Sequence, residues 1–209
     1  MRGFFLKFGP ARCPSEHVPF SGYHMPIETF KEIIMKEKST AQQGEPSKQN
    51  AQSAPGPARR IEPGVYKIYT ALLSLPQKLV SVSPIENSDR SHNVYLFHDT
   101  YEGDSKWEIF STQHHEREYH ISNQGIHAIL RAHDGNVLTV PRPDIDGKSS
   151  IAWYFRDAGK ETGIDLFYLE NKLTRNFATV KDHSTEDRTN IIESPYFGAT
   201  SQKFILVKL

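Results

Sequence analysis

The chain has 209 residues, which suffices for one domain with a tail or for two small domains, and it is long enough to bury a sizeable core. Its 25 basic side chains balance 25 acidic ones, so no broad surface for nucleic acid is expected. No apolar run approaches the roughly 18 residues of a membrane span. The single cysteine, Cys13, excludes a disulfide within the chain and favours a reducing, cytoplasmic location.

The first 62 residues are expected to form a largely disordered tail with one short helix. Residues 1–24 show no hydrophobic periodicity, and their apolar centre is too short for a secretory signal. Residues 26–38 predict a helix, because apolar side chains recur there at helical spacing: Ile27, Phe30, Ile33 and Ile34. Residues 39–60 predict a linker, since they are rich in Ser, Gln, Pro and Gly and contain too few apolar side chains to offset the chain entropy lost on folding.

Residues 63–209 predict an all-β domain. Short stretches of alternating apolar and polar residues are interrupted about every ten residues by turn-forming residues. A repeat of about fifty residues divides this region into three segments. One aromatic residue stands near the start of each segment and another near its end: Tyr66, Tyr119 and Phe167, then Trp107, Trp153 and Phe204.

Each segment has room for four strands. We place them at 64–70, 77–82, 93–98 and 106–110, then at 118–123, 127–132, 136–140 and 151–156, and finally at 164–169, 176–181, 189–194 and 203–208. Three such segments indicate a β-trefoil, in which six strands close a barrel and three hairpins cap it, so that no barrel edge is left open. The expected core contains Trp107, Trp153, Phe204, Tyr66, Tyr119, Val94, Leu96, Val137, Leu138 and Ile191.

A polar loop, residues 83–93, is expected between the second and third strands. Hairpin connections usually have two to five residues, so a loop of this length is either functional or disordered, and Pro84 and Ile85 argue against disorder. Near its tip Arg90 offers a long cation to solvent, which is the side chain that a trypsin-like S1 pocket with a buried carboxylate selects. The alternative is an arginine in an ordinary solvated turn.

Other polar clusters do not predict a metal site or an enzyme. Residues 114–120 contain three histidines and two glutamates, but they lack the spacing of a zinc site, and strand alternation points His120 outward. Residues 144–147 resemble the opening of a calcium loop without its later ligands, so a turn is expected. No nucleophile motif and no phosphate-binding loop is present. We therefore expect no catalytic residue, no metal and no cofactor.

The ends of the three segments resemble the Gln-x-Trp triplets of ricin-B-type lectins: Ser105-Lys106-Trp107, Ile151-Ala152-Trp153 and Gln202-Lys203-Phe204. This resemblance implies the trefoil fold and leaves a carbohydrate-binding module as an alternative function. In those lectins an acidic residue of the second strand region binds sugar hydroxyls, whereas the corresponding places here carry Ser81, Ser83, Arg131 and Val180. In this alternative the aromatic residues expected to stack on sugar rings are Tyr101, Tyr154 and Tyr196.

Four stretches of residues 63–209 resemble the mushroom β-trefoil serine protease inhibitors of the cospin and clitocypin type. They are Pro63–Ile68, Pro84–Ser91, Val94–Phe97 and Trp107–Ile109. The resemblance implies inhibition of a trypsin-like enzyme by substrate mimicry, through a loop held in extended conformation. Arg90 would then be the P1 residue, Asp89 P2 and Ser91 P1′, with Ser88 and Pro84 in the same protease-binding loop.

The same resemblance extends to other inhibitory loops. Related mushroom trefoils act on cysteine proteases or on asparaginyl endopeptidase. For asparaginyl endopeptidase the position implied here is Asn123, which is expected in the turn after the fifth strand.

The sequence thus leaves three hypotheses open: an inhibitor that binds a serine endopeptidase, a module that binds glycans, and a trefoil with neither activity. It also predicts that residues 1–60 are dispensable for stability. The final strand, in contrast, should be essential because a closed barrel has no spare strand.

Overall fold

The computed structural model describes residues 54–100, 102–112, 115–141 and 149–209. Its regular structure is β-strand, apart from 3-10 turns of three residues, and none of these turns could span a membrane. The predicted helix at 26–38 lies outside the described residues. The twelve strands are β1 (Gly64–Thr70), β2 (Lys78–Glu86), β3 (His92–His98), β4 (Trp107–Thr112), β5 (His115–Asn123), β6 (Ala128–His133), β7 (Asn136–Pro141), β8 (Trp153–Glu161), β9 (Ile164–Asn171), β10 (Phe177–Val180), β11 (Ile191–Ser194) and β12 (Lys203–Lys208).

Strand pairing confirms the predicted all-β closed barrel. Strands β1, β4, β5, β8, β9 and β12 form a ring in which every neighbouring pair is antiparallel. The other six strands form three hairpins, β2–β3, β6–β7 and β10–β11. This is the threefold plan that the fifty-residue repeat indicated.

The core residues expected from the sequence are all buried. The side chains of Trp107, Trp153 and Phe204 are fully buried at matched positions in the three segments. Leu138 belongs to a smaller cluster on the second cap, and the other predicted residues belong to the main core. Alternation along the barrel strands therefore fixed which side chains point inward.

The prediction of an eleven-residue loop at 83–93 is wrong. β2 continues to Glu86 and β3 begins at His92, so the connection has only the residues 87–91. Val82 pairs with Val94 and Glu86 pairs with His92, so three residues of β2 lie opposite one residue of β3. Such a β-bulge adds residues to one strand and disturbs its alternation. Ser83 stays buried here while Pro84, Ile85 and Glu86 are exposed, so this end of β2 lacks the pattern by which a strand is recognised.

The end of the predicted tail lies along β8. Gly56 N–H donates to the carbonyl oxygen of Asp157 (3.1 Å), and Asp157 N–H donates to that of Pro57 (3.0 Å). Ile61 N–H donates to the Tyr119 hydroxyl (2.7 Å), and the Ile61 side chain is buried in the main core. Residues 54–62, called the strap below, therefore form part of the barrel.

The strap leads to a prediction about its own contribution to stability, and the dispensability of residues 1–60 stays a separate prediction. A chain that begins at residue 63 should be less stable than one that begins at residue 54, by about 1.5–3 kcal/mol, because it loses the burial of Ile61. Urea unfolding of the two chains measures the difference. The full chain is the control, since removing residues 1–53 breaks none of these contacts, and equal midpoints for all three chains would contradict the prediction.

Candidate functional site

The tip of the β2–β3 hairpin is a compact turn, residues 87–91. Asn87 N–H donates to the carbonyl oxygen of Ser91 (2.8 Å), and Arg90 N–H donates to that of Asn87 (3.0 Å). The Asn87 side-chain amide also donates to Ser91 Oγ (2.9 Å). Several hydrogen bonds within five residues leave this turn little conformational freedom.

Ser91 is a structural residue of the tip. It is 1% exposed, and both its backbone N–H and its hydroxyl donate to Asp89 Oδ1, at 3.1 and 2.6 Å. These bonds, the hydroxyl's first, lower the pKa of the Asp89 carboxyl. The role implied by the resemblance, P1′, would place Ser91 against the enzyme, whereas in this conformation the side chain is turned into the protein.

Arg90 is exposed, but its backbone is not extended. Its φ is 64°, in the left-handed region that costs an L-residue about 1–2 kcal/mol. The expectation of an extended loop is therefore wrong at this residue in the free protein. The reason is local, because a five-residue connection has to reverse the chain and no glycine is present to take the left-handed position.

The base of the tip is anchored to the second cap. His92 and Asn93 of β3 pair with Thr139 and Leu138 of β7. The Thr139 hydroxyl also donates to the carbonyl oxygen of His92 (3.4 Å). The tip is thus held from both strands and projects from a rigid base.

The bulge next to the tip presents three further exposed residues, Pro84, Ile85 and Glu86. The resemblance named Pro84 as part of the binding loop, and the structure places it on strand β2 instead. Ile85, for which no binding role was expected, is 74% exposed, more than any other large hydrophobic side chain in the described ranges. Its exposure follows from the bulge, which alternation alone did not reveal.

Asn123 is a structural residue and offers no side chain to an asparaginyl endopeptidase. It is 0% exposed, its Nδ2 donates to the carbonyl oxygen of Asp104 (2.7 Å), and its Oδ1 accepts from Gly125 N–H (2.9 Å). Asn171 makes the matching contacts in the third segment. A buried amide with these partners closes the turn that follows its strand.

Two of the three aromatic residues suggested as sugar platforms are already in contact with other side chains. The guanidinium groups of Arg156 and Arg175 lie over the Tyr154 ring, 5.4 and 6.0 Å from its centre. Tyr196 packs edge-on against Tyr168 at 5.2 Å. Tyr101 lies outside the described residues.

A carboxylate that the sequence did not single out lies beside β2 of the first cap, in the 3-10 turn Gly103–Ser105. The Ser81 hydroxyl donates to Asp104 Oδ2 (3.1 Å), while Asp104 Oδ1 is buried and has no hydrogen-bond partner among the described residues. Burial and then the charge of Asp104 raise the pKa of Tyr95, which pairs with Ser81 across the hairpin. Asp104 therefore places a carboxylate next to Ser81, and Ser81 occupies one of the second-strand positions where an acidic residue was looked for.

Comparison with known proteins identifies the fold. No family model matches the chain, and no curated protein matches it. Among solved structures, a designed 3-fold symmetric protein, ThreeFoil, matches with a TM-score of 0.57 and 21% identity, over 70% of this chain and 99% of that one. A proteinase inhibitor from Coprinopsis cinerea matches with a TM-score of 0.57 and 13% identity, over 71% and 99%. The Rhizoctonia solani agglutinin matches with a TM-score of 0.54 and 14% identity, over 71% and 97%.

These similarities show a shared threefold fold and no more. An inhibitor and an agglutinin resemble the chain about equally well, so the fold does not distinguish a protease partner from a glycan partner. Function has to be argued from the exposed groups on the caps.

The Asp89 contacts predict an acid-sensitive tip. A carboxyl whose folded pKa is lowered stabilises the folded form above its unfolded pKa of about 3.9, and that contribution is lost as pH falls through the folded pKa. We expect the Ser91 amide signal in NMR spectra to hold steady from pH 7 to about 4 and to shift below that pH. In Asp89→Asn the acid shift should disappear, and a signal that titrates equally in both proteins would contradict the assignment.

Proposed function

We propose that this protein inhibits a trypsin-like serine endopeptidase through the β2–β3 hairpin, with Arg90 as the residue that enters the S1 pocket. The observation that carries the proposal is an exposed arginine at the end of a hydrogen-bonded turn on a rigid hairpin. Arginine is a frequent hot-spot residue, and a fully desolvated ion pair with the buried carboxylate of an S1 pocket contributes strongly to affinity.

Substrate-like docking requires residue 90 to move from the left-handed region to an extended conformation. Leaving the left-handed region relieves about 1–2 kcal/mol, whereas breaking the Arg90 to Asn87 hydrogen bond costs about 0.5–1.5 kcal/mol. These two terms nearly cancel, so the left-handed backbone of Arg90 does not by itself oppose docking. Because β3 pairs with β7, the base of the hairpin stays fixed while residue 90 changes conformation. The hairpin therefore loses less conformational entropy on binding than a flexible peptide does.

Variants at residue 90 test the proposal. Arg90→Ala should weaken the inhibition of trypsin about a thousandfold, the effect of losing a side chain worth about 4 kcal/mol, while Arg90→Lys should retain most of it. Inhibition constants measured with trypsin and the full chain give the result. Failure of the unaltered protein to inhibit trypsin, or equal inhibition by Arg90→Ala, would contradict the proposal.

A glycine at the same position separates binding from folding. Arg90→Gly suits the left-handed turn, so stability should stay unchanged or rise by up to about 1 kcal/mol, while trypsin inhibition is lost. Urea unfolding provides the control that the variant is folded.

Asp104 favours a second candidate function, the binding of a glycan at the first cap. Asp104 Oδ2 accepts from the Ser81 hydroxyl, and the buried Asp104 Oδ1 has no hydrogen-bond partner among the described residues, so a sugar hydroxyl that displaced the atoms covering Oδ1 would find an unused acceptor. The Rhizoctonia solani agglutinin shares the fold, which supports testing a glycan at this cap.

A glycan array distinguishes the two candidates. If the first cap binds a sugar, the array signal should persist in Arg90→Ala and should fall at least about tenfold in Asp104→Asn, which loses a charge-assisted hydrogen bond worth about 1.5–3 kcal/mol. A silent array, or a signal that Asp104→Asn leaves unchanged, would reject this candidate.

A further inference from the structure

We propose that Ile85 forms a second reactive site on the same hairpin, for a serine endopeptidase whose S1 pocket is small and apolar. This inference rests on the proposed inhibitory role of the β2–β3 hairpin, but it concerns a different side chain and a different class of enzyme. It starts from the contrast between the left-handed backbone of Arg90 and the extended backbone of the bulge five positions upstream.

The backbone of the bulge differs from that of the tip. Residues 83–86 belong to strand β2 and include no residue with positive φ. Pro84 fixes its own φ near −65° and pushes the preceding Ser83 toward extended conformations. Unlike Arg90, these residues do not have to leave the left-handed region to lie in a substrate-binding cleft.

Side chains of the hairpin hold the bulge in place. The Ile85 N–H donates to Ser83 Oγ (3.1 Å), and the His92 Nδ1–H donates to the carbonyl oxygen of Ser83 (2.9 Å). Glu86 then resumes pairing with His92, so both ends of the bulge are fixed. A segment ordered before it binds loses less entropy on docking than a flexible peptide does. The hydroxyl of Ser83 can release the Ile85 N–H to the enzyme's backbone without moving the strand.

Ile85 determines the class of enzyme. Its side chain is 74% exposed and projects from the hairpin, so burial in a pocket would remove substantial apolar surface from water. A deep pocket with a buried carboxylate would leave that charge unpaired beside an aliphatic group. The small apolar pocket of an elastase-like enzyme suits a short branched side chain instead.

Inhibition of pancreatic elastase by the full chain tests the inference. We expect inhibition that weakens at least about 30-fold in Ile85→Asp. Leu173→Asp is the matched control, because Leu173 is also an exposed aliphatic residue (58%) but lies in the third segment. Absence of elastase inhibition, or equal weakening by Leu173→Asp, would overturn the inference.

A gain-of-function variant gives a second result that does not depend on losing activity. The double variant Arg90→Ala/Ile85→Arg places the only arginine of this hairpin on the bulge. It should inhibit trypsin more strongly than Arg90→Ala alone if residue 85 enters the S1 pocket, and equal values would count against the inference. Trypsin inhibition through Arg90 without any elastase inhibition would overturn the second site and leave the proposed function intact. Elastase inhibition through Ile85 without trypsin inhibition would support the second site and reject the role of Arg90.

Discussion

A buried indole hydrogen bond joins barrel and cap in two of the three segments, and the position of each exposed hairpin depends on that contact. Trp107 and Trp153 are fully buried in the barrel, and their Nε1 atoms donate to the carbonyl oxygens of Val80 (2.8 Å) and Leu130 (3.1 Å). A buried donor without a partner costs about 1–3 kcal/mol, so these bonds fix the positions of β2 and β6, the first strands of two caps, on the barrel.

In the third segment a different side chain joins the barrel to its cap, and neighbouring caps also form hydrogen bonds with each other. Phe204 has no donor, and the buried Gln202 instead donates to the hydroxyl of Thr179 on β10 (3.2 Å). Between caps, Leu96 N–H of the first donates to the carbonyl oxygen of Thr189 in the third (2.8 Å). Each hairpin is therefore fixed by the barrel and by a neighbouring cap, which leaves the tip at 87–91 as a projection on a rigid base.

Most strand positions could be predicted because inward residues alternate and recur in three segments, so each prediction was supported three times. The β2 bulge could not, since it is defined by pairing with β3 and not by its own residues. The strap could not be predicted either, because Gly56 and Pro57 bind β8 through backbone atoms, and such contacts leave no pattern in the side chains. The left-handed Arg90 was equally hidden, as no glycine or asparagine marks its position.

In the first hairpin, the residues that hold the tip are different from the residues that are exposed. Asn87 and Ser91 turn inward and hold the tip, whereas Ile85 and Arg90 are exposed and contribute nothing to the core. Substitutions at the exposed positions can therefore change the partner without affecting the barrel. Structures that share the fold at 13–21% identity include both an inhibitor and an agglutinin, so a partner has to be argued from individual cap side chains and not from the fold.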